Sequence, residues 1–317
     1  MEKGLRERFL GFWEKHRDEK IAIATHNRAD ADAISSAFAI SSVFPNSVVC
    51  TYEEMSEGAK LLSQRLGISP ADMSALDKKD FKGLIVVDTS AYTLVPQARG
   101  WKILCIVDHH RPEGRDMKAE CEIIDEKAPS AAEIVSRIIP EVGKNQAFAL
   151  CVGIIADGAR FKSARAETFD ALHRMMVVSG AEYPELLSFA EPEPKDEAKL
   201  AMLAAMKRME YVYAAGYIIA TSEVGSNESD AASLITEAAD VAFIAKWKDA
   251  ERETRISARA RRSVKVPLNA VMAEVGKALG GAGGGHPKAA GAALKAHTDE
   301  ALKKCVETFI DFAEKSG

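Results

Sequence analysis

"IAIATHNRADADAISSAFAI", residues 21–40, decides how this chain folds. Its first four residues are apolar or small with no polar alternation, which predicts a strand covered on both faces. From residue 32, "DAISSAFAISSVF" has the pattern of a buried helix. Between them lies a polar turn carrying His26, Asp30 and Asp32, three groups able to ligate a metal within seven residues. A connection that only has to turn is served by Gly or Asn. These groups therefore either cap the helix or hold a positive charge.

The same alternation continues outward. "SVVCTY" (47–52), "GLIVVD" (83–88) and "KILCIVD" (102–108) read as further two-face-buried strands. "SEGAKLLSQRLG" (56–67), "SAAEIVSRIIPEV" (130–142) and "NQAFALCVGIIAD" (145–157) read as helices between or after them. This predicts an α/β domain with a doubly wound, mostly parallel sheet over residues 1–189. "AEPEPKDEAK" (190–199) changes the composition to acids and prolines and reads as a linker. Residues 200–317 then read as a smaller α/β domain. It begins with a helix "KLAMLAAMKRMEYVY", continues with strands "GYIIATSE", "VAFIAKWKD" and "TRISARA", and ends with a helix "LNAVMAEVGKAL", a glycine-rich loop and a last helix "DEALKKCVETFIDFAEK".

Composition bounds the function classes. At 317 residues, 47% hydrophobic and 28% charged, the chain has enough apolar material for a real core. No apolar run has the length of a membrane span, and no membrane partner is expected. The opening "MEKGLRERFLGFWEKHRDEK" is amphipathic and carries both charge signs, so a cytoplasmic location is expected. Five scattered cysteines without a C-x-x-C pair argue against a disulfide framework and a thiolate zinc site. A net charge of −5 disfavours wrapping of long duplex DNA and favours short or locally held nucleic-acid partners.

The acidic positions share a place. Asp30 and Asp32 follow the first strand, Asp88 ends "GLIVVD", Asp108 ends "KILCIVD" and is followed by His109 and His110, and Asp157 ends an apolar helix. Open α/β sheets put their functional crevice at the carboxyl ends of the strands. Each residue also has a structural reading. Asp32 serves as an N-cap, Asp88 as a strand-to-turn residue, His26 as a hydrogen-bonded histidine, and Asp157 before Gly158 as a helix end. The adjacent pair in "DHH" has no such role. Grouped carboxylates repel one another unless a cation neutralises them. Oxygen and imidazole without thiolate suit Mn²⁺, with Mg²⁺ as the alternative, better than tetrahedral zinc. Six ligands are too many for one open site and suit two divalent ions. A water shared by such a pair loses a proton near neutral pH and attacks phosphorus.

"HNRADAD", "VVDTS", "VDHHR" and "GIIADGARF" resemble the four motifs of the DHH phosphoesterase superfamily. "ISARA" with "GGAGGGHPKAAGA" resembles its associated C-terminal domain, as in RecJ-like nucleases and nanoRNase/pAp-phosphatase proteins, with the short archaeal RecJ-like proteins nearest in style. The resemblance implies one metal held by His26, Asp30 and Asp88, and a second by Asp32, Asp88, His109 and Asp157. It places His110 at the scissile phosphate and Asp108 behind it, orienting a histidine. The fourth motif departs from the commoner form, with Gly158 and Ala159 after Asp157 where Thr and Gly are usual. That puts loop contacts to substrate in doubt.

In "TRISARARR" the alternation sets Arg255, Ser257, Arg259 and Arg261 on one face of a strand. Residues 252–265 hold five arginines and a lysine against one glutamate, a pattern that also serves a merely solvated face. By the resemblance, Ser257 and Arg259 hold a phosphate or terminal nucleotide, which the bidentate guanidinium suits. Gly284, Gly285 and His286 would cradle an anion with backbone N–H groups and an imidazole.

The expectation is a Mn-dependent hydrolase, a phosphodiesterase or phosphatase acting on short single-stranded oligonucleotides, dinucleotides or nucleoside bisphosphates of the pAp kind. Its alternatives are an inorganic pyrophosphatase or exopolyphosphatase and a catalytically silent nucleic-acid-binding subunit. A homodimer is left open.

Overall fold

The computed structural model describes residues 2–110, 114–158 and 161–316. The chain divides into two compact units, Met1–Glu193 and Pro194–Gly317. No helix among the described residues is long and apolar enough to cross a membrane.

The strands of the first unit are β1 (Ile21–Ala24), β2 (Ser47–Thr51), β3 (Ala71–Asp72), β4 (Gly83–Val87), β5 (Ile103–Asp108) and β6 (Cys121–Ile124). They form a parallel sheet in the order β3-β2-β1-β4-β5-β6. All residues of β1, β4 and β5 are buried, which is why they lack polar alternation. The helices are α1 (Glu2–His16), α2 (Ala31–Ser41), α3 (Glu57–Leu66), α4 (Ala131–Ile138), α5 (Lys144–Asp157), α6 (Ala166–Ser179) and α7 (Tyr183–Ala190). One core cluster packs Ile23, Ile34, Val87, Val107 and Ile154 together, and another holds Ala22, Leu84, Val86 and Ile106, so the sheet has apolar material on both faces. The strand order reverses between β1 and β4: from β1 the sheet grows through β2 to β3 on one side and from β4 through β5 to β6 on the other. That is the switch point at which an open sheet leaves a crevice.

The second unit contains α8 (Asp196–Arg208), β7 (Glu210–Ala214), β8 (Tyr217–Glu223), α9 (Glu228–Ile235), β9 (Val241–Lys248), β10 (Glu253–Ala260), α10 (Leu268–Ala278), β11 (Ala282–His286), β12 (Ala289–Leu294) and α11 (Thr298–Ser316). Its mixed sheet has the order β11-β12-β10-β9-β8-β7. Within this sheet, only the β8–β9 pairing is parallel among the described residues.

Two sequence expectations need correction here. The helix expected through Tyr213 stops at Arg208, and residues 210–214 form β7 instead. The aromatic and β-branched run Tyr211-Val212-Tyr213 pairs with β8 through a tight turn at Ala215 and Gly216, both at positive φ. The glycine-rich loop is β11, antiparallel to β12. Gly283 in this strand and Gly281 just before it serve close packing. A Cβ at Gly283 would lie 2.0 Å from the Met272 carbonyl oxygen of α10, and one at Gly281 would lie 1.9 Å from that of Ala293.

Candidate metal centre

The loops after β1, β4 and β5 deliver ligand groups to one sheet end. Asp88, immediately after β4, has φ +61°, a strained conformation for a non-glycine residue, and is buried. Its Oδ2 lies 3.3 Å from His26 Nε2, and its Oδ1 lies 3.2 Å from His109 Nε2. His26 Nε2 is also 3.8 Å from Asp30 Oδ2, and His109 Nε2 is 3.3 Å from Asp157 Oδ2. Ligand atoms of His26, Asp30 and Asp88 lie within 4.8 Å of one another, as do those of Asp32, His109 and Asp157, and those of Asp88, His109 and His110.

The backbone aims these imidazoles. His26 Nδ1 faces the Asn27 carbonyl at 2.6 Å, and His109 Nδ1 faces the Ala128 carbonyl at 3.2 Å. Each bond reserves Nδ1–H for a carbonyl and leaves Nε2 turned toward the carboxylates, the arrangement typical of metal-ligating histidine. Asp88 Oδ1 and His109 Nε2 are both buried and lack a hydrogen-bond partner, although they face one another. Buried polar atoms are nearly always satisfied, so a divalent cation fits this donor set.

Electrostatics agree with that fit. Burial lowers the His26 pKa, but Asp30 and Asp88 outweigh it and raise it to about 11. Burial likewise opposes the charge on His109, and Asp88, Asp32 and Asp157 raise its pKa to about 10. Asp88 is pushed up by burial, yet His109 and His26 hold it below the usual carboxylate range. Burial, with Asp88 and Asp157 nearby, drives Asp32 well above that range, and burial raises Asp157 to about 6. Without a cation, charged imidazoles and protonated carboxyls must balance the cluster.

Helix ends fix the remaining members. Asp30, not Asp32, is the N-cap of α2, accepting the Ala33 N–H at 3.0 Å. The buried Asp32 carboxylate accepts the Ala131 and Ala132 N–H groups at 2.7 and 2.8 Å, at the start of α4. Asp108 is fully buried. Its Oδ1 accepts the His110 Nδ1–H at 2.8 Å and the His110 backbone N–H at 3.1 Å, while its Oδ2 accepts the Ser90 hydroxyl at 2.6 Å. That carboxylate raises the pKa of the half-exposed His110. Asp157 closes α5, and Ala159 lies outside the described residues.

Two residues escaped the sequence reading. Ser90, two positions after Asp88, anchors Asp108. Gly153, in the middle of α5, leaves room for Asp32: a Cβ there would lie 2.2 Å from Ser35 Oγ, 2.8 Å from the Ala132 Cβ and 3.1 Å from Asp32 Oδ1. A glycine inside a buried helix was the available signal for the second.

In the second unit, Ser257, Gly291 and Gly284 lie side by side across β10, β12 and β11. They line an open trough of about 520 Å³ that Arg255 also borders. Arg259 stands outside that lining. Its guanidinium donates to Ser229 Oγ at 2.6 Å and to the Ala258 carbonyl at 3.1 Å. Gly285 and His286 are exposed at the end of β11. Their peptide groups belong to a strand, which replaces the expected converging loop. Arg261 lies beyond the strand and donates to the carbonyls of Thr236, at 2.9 Å, and Glu237, so the expected four-residue polar face is interrupted.

Residues 20–155 match the N-terminal domain of the DHH family, and residues 214–315 match the DHHA1 domain. The chain belongs to the DHH family. It is a DHH phosphoesterase by family, with a C-terminal DHHA1 domain. It is 29% identical to an uncharacterised protein of Methanocaldococcus jannaschii over 95% of this chain and 97% of that one. The crystal structure of an exopolyphosphatase-related protein from Bacteroides fragilis superposes with a TM-score of 0.79 at 17% identity, covering 99% of this chain and 97% of that chain. RecJ from Thermus thermophilus, crystallised in complex with Mn²⁺, gives 0.55 at 13% identity, covering 99% of this chain and 55% of RecJ. These likenesses to solved structures concern the fold.

Proposed function

We propose that this DHH-family chain is a Mn²⁺-dependent phosphodiesterase or phosphatase acting on short oligonucleotides, dinucleotides or nucleoside bisphosphates. The observation that carries the reading is the buried Asp88 carboxylate between two imidazoles, with Asp30 on one side and Asp157 on the other. His26, Asp30 and Asp88 would hold one divalent ion, and Asp32, Asp88, His109 and Asp157 a second. When bound, such ions supply charge neutralisation at the phosphoryl group and activation of water.

The protein's own groups do the rest. Asp108 holds Nδ1 of His110, leaving the ring's other nitrogen on the half-exposed side, where it donates to a phosphate oxygen. Asp32, tied to the start of α4, keeps its place as the cluster changes charge. Ser257 and Arg259 in the DHHA1 unit would recognise the substrate's terminal phosphate or nucleotide, the role for which guanidinium geometry is suited. The negative net charge supports a short substrate.

The test is a panel of 5′-labelled RNA and DNA from dinucleotides upward, with a nucleoside bisphosphate and pyrophosphate, each with and without Mn²⁺. Release of mononucleotide or phosphate from the nucleotide substrates is expected. Turnover of pyrophosphate alone would instead favour a pyrophosphatase, and no turnover of any substrate would overturn the reading.

A further inference from the structure

Most of the exposed large apolar side chains among the described residues fall between residues 200 and 218. On α8, Ala198, Ala201 and Ala205 face inward, yet Leu200 and Leu203 on the opposite side are 66% and 62% exposed. On β7, Tyr211 and Tyr213 are 75% and 73% exposed and Val212 is 40% exposed. A helix that is apolar on both sides, leading into an apolar edge strand, is not built for water.

β7 is the last strand of its sheet, and its pairing with β8 is continuous, without a bulge. It has no lysine or proline, and its one charge, Glu210, stands at its start. Free edges normally carry such protection against pairing. The unused hydrogen-bonding groups can be identified. Ile218, opposite Tyr213, donates its N–H to Asp240 Oδ2 at 2.9 Å and accepts the Asp240 N–H at 2.9 Å. Tyr213 and Ile218 are therefore not bonded to each other, and the N–H and C=O of Tyr213 point to the open side. By the alternation of an antiparallel ladder, so do those of Tyr211.

We propose that β7 is a dimerisation edge, pairing antiparallel with β7 of a second copy of this chain about a two-fold axis through Val212. In that register Tyr211 meets the partner's Tyr213, and Tyr213 meets the partner's Tyr211. Both residues of each pair present outward N–H and C=O groups, so four main-chain hydrogen bonds form. Aromatic side chains then lie opposite one another twice on one face, a favourable cross-strand pairing. Val212 meets its own counterpart as the non-bonded central pair. The match is self-complementary, as a two-fold interface must be. Two tyrosines three-quarters exposed contribute on the order of 300 Å² per copy. A stable interface typically buries roughly 800 Å² per partner, so exposed neighbours of the strand such as Met209 and Ile218 would have to join it.

Light scattering on the full chain at micromolar concentration should give twice the 34.3 kDa chain mass. Tyr213→Pro removes an outward N–H that β8 does not use, and Tyr211→Lys puts a charge at the pair. Either should halve the mass while leaving the circular dichroism spectrum unchanged and the thermal transition cooperative, with Tm lowered only by the lost stabilisation of association. Val212→Cys provides a second test. The native cysteines are all buried, and central non-bonded Cα atoms about 4.5 Å apart suit a disulfide. Under mild oxidation with a disulfide reagent, Val212→Cys should give a covalent dimer. A monomeric wild type would overturn the proposal. So would a dimer that survives both strand variants with no cross-link through position 212, because its interface would lie elsewhere.

Discussion

Replacing Gly153 by Ala probes how tightly the fold controls Asp32. The added Cβ would lie 2.2 Å from Ser35 Oγ, 2.8 Å from the Ala132 Cβ and 3.1 Å from Asp32 Oδ1. Ser35 is itself held by a bond to the Asp32 carbonyl, and Ala132 belongs to the helix start that Asp32 caps. Relief therefore requires α2, α4 and α5 to shift together. Overpacking of this kind costs about 1–3 kcal/mol. Alanine recovers about 1 kcal/mol through its helix preference. The net is a loss of about 1 kcal/mol, a fall in Tm of roughly 2–4 °C for a unit of this size. The effect on the metal group should be larger in proportion, because a ligand that moves loses its geometry. Changes to groups that orient ligands cost about 10–100-fold in affinity. Calorimetric titration of Mn²⁺ into metal-free protein should show one site weakened to that degree and the His26–Asp30–Asp88 site less affected. A variant more stable than wild type, with both sites unchanged, would refute the packing argument.

Asp88→Asn should lower Mn²⁺ affinity and turnover by more than the ~100-fold typical of groups behind the ligands, measured by titration and initial rates with the same preparation. Arg259→Ala should raise KM by about tenfold or more with kcat little changed, as expected for loss of a charge-assisted phosphate contact. Asp125 accepts bonds from Arg165 at 2.7 Å and Arg137 at 3.1 Å, and despite burial these cations hold its carboxyl below its ordinary range. Its stabilisation is therefore present above the unfolded carboxylate pKa and is lost as pH falls through the lower folded value. Asp125→Asn should cost about 2 kcal/mol near neutrality by urea unfolding. The gap to wild type should close as the pH drops below about 4; a gap that widens in acid would contradict the assignment.

The sequence made some of this architecture legible and hid the rest for physical reasons. β1, β4 and β5 carry unbroken apolar runs because both faces are covered, and a group of the cluster follows each within two residues: His26 after β1, Asp88 after β4, and His109 and His110 after β5. β6, "CEII", is half-exposed on alternate positions and only four residues long, so nothing marked it as part of the same sheet. The glycines of β11 read as a loop because the causes of two of them are distant in sequence: the backbone of α10 lies against Gly283, and that of β12 against Gly285. At the site, carboxylates and imidazoles announce themselves by type and by position after strands. Ser90 and Gly153 do not, since their roles are contacts with residues 18 and 121 positions away. The division of labour between Asp30 and Asp32 was likewise open, because either spacing can cap a helix until α4 is seen to occupy Asp32.

The central claim is that these side chains hold two divalent cations. Anomalous diffraction from crystals soaked in Mn²⁺ tests it most directly. Two peaks are expected, one among His26, Asp30 and Asp88 and the other among Asp32, His109 and Asp157, with Asp88 between them. Density for no ion, or for ions bound away from Asp88, would contradict the account.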